Sequence, residues 1–225
     1  MDKMNALIGG GTSGLGLELG LLFAEEYRVF ITGRHDPGKG GLSCTILDLS
    51  AERRELGSKL DALLASIPSI DLLVYAAGFS QQGLLESVDD AEIAAMTSVG
   101  LVAPSMLIQR ILRKQNELPA LIAVTSTSQW TPRPHEPIYT AVKAGLGMLG
   151  NSLSLDPKLG KVLVAAPAGM ATPFWRKGGR DVTGMLDAPW VARQIIGQFH
   201  GDYRYRFVRI LRDPRRVEVG ETRRE

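Results

Sequence analysis

The amino-acid sequence predicts an α/β fold, a doubly wound parallel sheet of about seven strands with helices on both faces, and three observations carry that prediction. Short β-rich apolar runs alternate with longer segments of helical periodicity along most of the chain. The first run passes through a glycine-rich turn directly into an amphipathic segment. Most runs are bounded by Gly, Pro, Asp or Ser, residues whose backbone preferences end strands.

Taken in order, strands are expected near 4–9, 28–32, 43–47, 71–76, 120–125, 161–166 and 205–211. Between the first two, Leu15, Leu19, Leu22 and Phe23 recur at helical spacing, so a helix starts at the glycines and buries one face on the sheet. Further helices are expected over 51–66, 91–116, 138–156 and 188–199. The segment from His35 to Gly41 is too short and too rich in Gly and Pro for a crossover helix, which predicts a loop there. The stretch 168–188, with Gly178, Gly179 and Gly184, is expected to be a flexible substrate loop. No repeat and no linker interrupts the pattern, so residues 1–225 are read as one domain.

A formal net charge of +2 raises the question of a polyanion partner, and its distribution answers it. The excess sits at the end, where Arg204, Arg206, Arg209, Arg212, Arg215, Arg216, Arg223 and Arg224 form a basic tail from about 212 to 225 with acids interleaved. Tyr203, Tyr205 and Phe207 alternate with the first of these arginines, as on a base-stacking platform and equally as on a last strand with one buried face. A solvated edge or subunit contact is expected rather than a nucleic-acid site. The lone Cys44 makes no internal disulfide and suits a buried place in a strand. No metal site is expected. With no basic-then-apolar leader and no apolar run read as long enough to cross a bilayer, a cytoplasmic protein without a membrane partner is expected.

The chemistry starts at Gly9-Gly10-Gly11-Thr12-Ser13-Gly14-Leu15-Gly16, a strand-to-helix turn. Glycines let the backbone approach a pyrophosphate, and the unpaired N–H groups of the first helical turn supply donors and positive potential. Gly10, Thr12, Ser13, Gly14, Leu15 and Gly16 are therefore candidate dinucleotide ligands. The second strand ends in Thr32-Gly33-Arg34-His35, without the carboxylate that holds a ribose 2′-OH, and Arg34 offers a planar fork for a 2′-phosphate. NADP(H) is expected over NAD(H).

Tyr139 and Lys143 lie four residues apart on one helix face, where a cation beside the phenol favours phenolate. Upstream, the run Leu121 to Thr125 delivers Ser126 to the C-terminal edge of the sheet, where open α/β folds bind ligands.

Taken together, Gly10-x-x-x-Gly14-x-Gly16, Gly33-Arg34, Asp48-Leu49, Ala77-Gly78, Ser126, Tyr139-x-x-x-Lys143 and Pro167 to Thr172 resemble the shorter, single-domain branch of the short-chain dehydrogenase/reductase family. The resemblance runs from Ala6 to about Phe199 and implies a Rossmann-type domain. It implies that Tyr139 protonates a carbonyl oxygen as hydride arrives from nicotinamide, that Lys143 binds the nicotinamide ribose and lowers the phenol pKa, and that Ser126 holds the substrate oxygen. Asp48 and Leu49 would border adenine, Ala77 and Gly78 the adenosine ribose, and Thr172 the carboxamide. Read as residues alone, Asp48 and Thr172 also suit turns.

Three positions depart from the family pattern. Gly100 stands where an Asn usually relays protons through Lys, with water or Ser98 as conceivable replacements. Ala76 replaces the Asn of N-A-G, and Ala168 follows Pro167 where Gly is usual. The expected function is interconversion of a small-molecule carbonyl and alcohol, with a non-catalytic NADP(H)-binding redox sensor as the alternative. An epimerase or dehydratase of the longer branch would need a substrate domain. Phe79 to Gln82, Gln129 to Thr131 and Met170 to Met185 are candidate substrate walls, while Arg133, His135, Arg176 and Lys177 would suit an acidic group. Apolar residues on more than one face of the helices around Leu101–Leu112 and Leu146–Leu155 suggest a homodimer or homotetramer.

Overall fold

The computed structural model describes residues 3–179 and 181–224, without the side chains of Arg176, Lys177 and Gly178. One eight-stranded sheet runs in the order β3-β2-β1-β4-β5-β6-β7-β8. Its strands are β1 (Met4–Gly9), β2 (Tyr27–Gly33), β3 (Leu42–Ile46), β4 (Leu72–Tyr75), β5 (Leu118–Val124), β6 (Leu159–Pro167), β7 (Tyr205–Arg212) and β8 (Arg215–Arg223). The first seven are parallel to their neighbours; β8 returns antiparallel along β7.

Neighbouring strand residues feed opposite faces, as a period of two requires. Leu7, Leu73, Leu121 and Val162 pack with Leu56, Leu60, Leu107, Ile111 and Leu146, which come from α2 (Arg53–Ala65), α4 (Ala103–Gln115) and α5 (Pro137–Leu153). Their chain neighbours Ile8, Val74, Ile122 and Leu163 pack with Leu19, Phe23, Ile195 and Phe199 of α1 (Gly14–Phe23) and α6 (Ala188–Phe199). Strands buried on both faces read as continuous apolar runs, which is why the sequence marked them so clearly.

Basic side chains from other elements receive the C-terminal carbonyls of four helices. Lys3 donates to Ala24 and Glu25 after α1, Lys114 to Leu64 and Ile67 after α2, Arg204 to Ser154 and Asp156 after α5, and Lys161 to Phe199 and Gly201 after α6. Cations there satisfy orphan carbonyls and oppose the negative helix end. Part of the basic excess is thus spent inside the fold. Tyr203 and Tyr205 are buried with Arg206 and Arg223 stacked on their rings, so neither presents a face to a base.

Three expectations are corrected. The basic tail is not a tail: a turn at Asp213-Pro214 folds Arg215–Arg223 back as β8, whose alternating charges make an edge that resists pairing with another chain. The helix expected over 91–116 is continuous but not uniform, since α3 (Asp90–Thr97) passes into a π-helical turn at Ser98–Val102 before α4. That run, Asp90–Gln115, is long and apolar enough by length and composition to cross a bilayer, contrary to the sequence reading. Here it lays Val99, Ala103, Leu107 and Ile111 on the sheet. The segment from His35 to Gly41 contains no helix, as expected.

Candidate active site

Strand order reverses between β1 and β4, so the segments leaving them diverge and open a crevice at the C-terminal edge of the sheet. The glycine turn after β1 fills one side of it. The N–H groups of Gly10 and Gly11 donate to the Thr32 carbonyl at 3.1 and 2.9 Å, tying the turn to β2. Gly10 has φ +81°, and a Cβ there would lie 2.6 Å from the Ala77 backbone; at Gly16 it would lie 2.2 Å from the Gly10 carbonyl oxygen. Only glycine allows this cradle. Ser13 precedes α1 and makes no side-chain cap, so the first-turn N–H groups are left for an anion. Thr12 is buried and lies so close over Gly33 that a Cβ at Gly33 would collide with it.

The segments after β2, β3, β4 and β6 border the same crevice. Arg34 is exposed just beyond β2. The Ser50 hydroxyl and N–H, and to a smaller degree the Arg34 charge, hold Asp48 below the usual carboxylate range. Leu49 is buried beside it. Ala77 is buried against Gly10, and a Cβ on Gly78 would sit 3.4 Å from Lys143 Nζ. Thr172 lies over the start of α1, with its Cβ 3.4 Å from where a Gly14 Cβ would be.

Ser126, Tyr139 and Lys143 come together where β5 and α5 meet. Ser126 caps a 3₁₀ turn, Thr127–Gln129, and its Oγ accepts from the Ser128 N–H at 3.1 Å, which fixes the hydroxyl. The Ser126 hydroxyl lies near enough to the Tyr139 phenol to lower its pKa. Lys143 Nζ donates to the Val124 carbonyl at 3.1 Å and lies 5.7 Å from the Tyr139 ring centroid. Phe174, from the 3₁₀ turn Pro173–Gly178, packs edge-on against Tyr139 with 5.8 Å between centroids.

Burial sets the electrostatics of this cluster. It pushes the Tyr139 phenol up to about 12; the Ser126 hydroxyl opposes it and Glu136 adds to it. Burial also brings Lys143 down to about 8. In the cofactor-free protein burial is the largest influence on the phenol, and Lys143 is not among the groups that shift it. A phenol held protonated through neutral pH suits an acid.

The Asn-for-Gly position is filled. A Cβ on Gly100 would lie 2.6 Å from Val142 Cβ, and the Tyr75 hydroxyl donates to the Val99 carbonyl within the π turn. Ser98, the conceivable substitute relay, gives its hydroxyl to the Leu49 carbonyl at 2.8 Å. Gly100→Asn is expected to cost about 1–3 kcal/mol by overpacking. Adding Val142→Ala should recover only part of that loss in chemical denaturation, since alanine keeps the Cβ that lies 2.6 Å away.

Some groups at the site gave no sequence signal. Gln81, read only as a wall residue, accepts from the N–H groups of Ile138 and Tyr139 at 2.9 and 3.0 Å. Val142 and the Val124 carbonyl were not singled out. Of the suggested acidic-group binders, Arg133 and His135 are exposed, and the side chains of Arg176 and Lys177 lie outside the described residues. Trp130 meets Phe207 edge-on rather than Tyr139. Among the described residues, no group of three or more His, Cys, Asp or Glu could hold a metal ion.

Comparisons with known proteins show the family and the fold. A family profile described as short chain dehydrogenase matches residues 4–182. An uncharacterized oxidoreductase, YohF of Escherichia coli, is 30% identical over 194 residues, covering 79% of this chain and 77% of that protein. A short-chain dehydrogenase from Sphingobium yanoikuyae solved with NADPH superimposes with a TM-score of 0.77 at 20% identity, covering 87% of this chain and 84% of that one. A 3-ketoacyl-(acyl-carrier-protein) reductase from Brucella melitensis solved with NADH gives 0.74 at 20%, covering 88% and 91%. The chain belongs to the short-chain dehydrogenase family of oxidoreductases.

Proposed function

We propose that this protein is an NADP(H)-dependent oxidoreductase that interconverts a carbonyl and an alcohol by hydride transfer, with Tyr139 as its acid and base. The observation that carries this reading is the buried cluster in which the phenol meets Ser126 and Lys143 beside the glycine cradle. Gly10, Thr12, Ser13, Gly14, Leu15 and Gly16 would hold the pyrophosphate and Arg34 the 2′-phosphate. Asp48 and Leu49 would border adenine, Ala77 and Gly78 the adenosine ribose, Tyr139 and Lys143 the nicotinamide ribose, and Thr172 the carboxamide. When bound in reduced form, the dinucleotide supplies the hydride.

The protein's own part is the proton. Ser126 holds the substrate oxygen near the phenol, and Tyr139 gives its proton to the alkoxide that develops there. In the reverse direction the phenolate takes the hydroxyl proton of an alcohol. Phe79, Met170, Phe174 and Trp175 make the surroundings apolar, which favours a hydrophobic small-molecule carbonyl or alcohol.

Arg34 carries the preference for NADP(H), since no carboxylate stands between Thr32 and His35; the structural relatives hold either form and do not decide it. Arg34→Ala is expected to weaken NADPH about 10–100-fold, the range of a charged hydrogen bond, and NADH less than about threefold. Fluorescence titration with both nucleotides reads the difference. We place the protein in the cytoplasm as a homodimer or homotetramer without nucleic-acid or membrane partners. Met148 on α5 and Leu155 just beyond its end, 63% and 72% exposed, supply an apolar surface for self-association. Light scattering reads the mass.

The filled relay position at Gly100 favours one other reading, a redox-sensing protein that binds NADP(H) without turnover. Tight NADPH binding with no oxidation across ketones, aldehydes and quinones would support it.

A further inference from the structure

We infer that Gln81 is a positioning residue for Tyr139, locking the helix that carries the phenol to the loop that carries Ala77 and Gly78. The inference rests on the functional reading above. Helix α5 starts without a side-chain cap of its own, because Glu136 at the cap position makes no such bond. Its first turn is capped instead from a distant loop, where the Gln81 Oε1 accepts the N–H groups of Ile138 and Tyr139 at 2.9 and 3.0 Å. Gln81 is 1% exposed, and its Nε2 is buried with no hydrogen-bond partner among the described residues.

A cap needed only for helix stability is met at lower cost by a short Ser, Asp or Asn at the helix start, with no buried donor left over. The feature that distinguishes Gln81 is what it joins. At one end of its loop Ala77 packs on Gly10, and Gly78 leaves a gap in which a Cβ would come within 3.4 Å of Lys143 Nζ; at the other, Gln81 grips the backbone N–H of Tyr139 itself. The far end of α5 is fixed as well, where Arg204 donates to the Ser154 and Asp156 carbonyls and Arg223 to the Asn151 side chain and the Ser154 hydroxyl. A shift of this loop therefore reaches the backbone of Tyr139 directly through the Gln81 amide, and the distance from Tyr139 to the substrate oxygen depends on it.

The test compares Gln81→Met, which deletes the acceptor, with Gln81→Glu, which keeps it, and with Glu52→Ala, which uncaps the remote helix α2. Gln81→Met is expected to lower kcat at least tenfold while the Kd for NADPH stays within threefold. Gln81→Glu is expected to return kcat to a third of wild type or better. Glu52→Ala is expected to lower Tm and leave kcat alone. Should Gln81→Met not fold, Gln81→Asn, one methylene too short to reach both N–H groups, takes its place.

A kcat within twofold of wild type in the acceptor-less variant overturns the inference, as does a loss of kcat that tracks Tm as in Glu52→Ala. The 13Cζ resonance of Tyr139 in tyrosine-labelled protein reads the phenol without turnover. It is expected to move in Gln81→Met and return in Gln81→Glu, and an unmoved resonance overturns the inference as well. If the wild type turns over no carbonyl, the functional reading fails, and the resonance still decides the role of Gln81.

Discussion

Lys143→Met is expected to stabilise the cofactor-free protein by about 1–3 kcal/mol at pH 7 while lowering turnover at least about a hundredfold. Burial moves the Lys143 ammonium from 10.5 to about 8, which at about 1.4 kcal/mol per pH unit corresponds to about 3 kcal/mol of native-state cost. Methionine fills a similar volume without a charge to desolvate but gives up the bond to the Val124 carbonyl, so the net gain is smaller. The dependence on pH has a definite sign. Below about pH 8 both folded and unfolded chains carry the proton and the folded state bears the full cost. Between about 8 and 10.5 the unfolded chain binds more protons at this residue, so its contribution to stability rises with pH. The stability gap between variant and wild type should therefore narrow across that window, which chemical denaturation at a series of pH values measures.

Tyr139→Phe is expected to lower carbonyl reduction by about 10²–10⁴, the usual worth of a positioned acid, with little loss of fold. The ring's packing against Phe174 is kept, and Ser126 keeps the Ser128 N–H, so the stability change should stay near 1 kcal/mol, the net worth of about one hydrogen bond. With the wild-type phenol pushed up to about 12, reduction should hardly vary through neutral pH, whereas alcohol oxidation, which needs phenolate, should climb as pH rises. Initial rates in both directions across pH 6 to 10, a range chosen about the neutral working region, separate the two behaviours. NADPH affinity within a few-fold of wild type in the variant would place the loss in the chemical step.

Most of the sheet was legible because strands buried on both faces carry nothing but apolar side chains, as in Ala6-Leu7-Ile8 and Leu121-Ile122-Ala123. β8 was not, since an edge strand exposes both of its faces in part and only Val217 and Val219 are apolar among its charges. The π turn at Ser98–Val102 was hidden for a different reason. It is packed by Val142 beside Gly100 and bonded by the Tyr75 hydroxyl, contacts between segments that the local pattern cannot register. Ser126, Tyr139 and Lys143 could be named from the sequence because each lies at a fixed offset from a strand end or a helix start. Their electrostatics could not be read there. Whether a neighbouring cation or burial wins at Tyr139 depends on how much water the fold removes. Gln81 was visible only as a polar loop residue, since its partners lie 57 and 58 positions away.

The most direct test of the central claim follows deuterium from 4,4-dideuterated NADPH into product. Wild type and Tyr139→Phe are each incubated with a panel of apolar ketones and aldehydes, and the alcohols are examined by mass spectrometry. The account predicts deuterium on the carbinol carbon with wild type and at least about a hundredfold less labelled alcohol with the variant. Labelled alcohol formed equally by both proteins would contradict the assignment of Tyr139, and tight NADPH binding with no labelled alcohol from either would contradict the reductase itself.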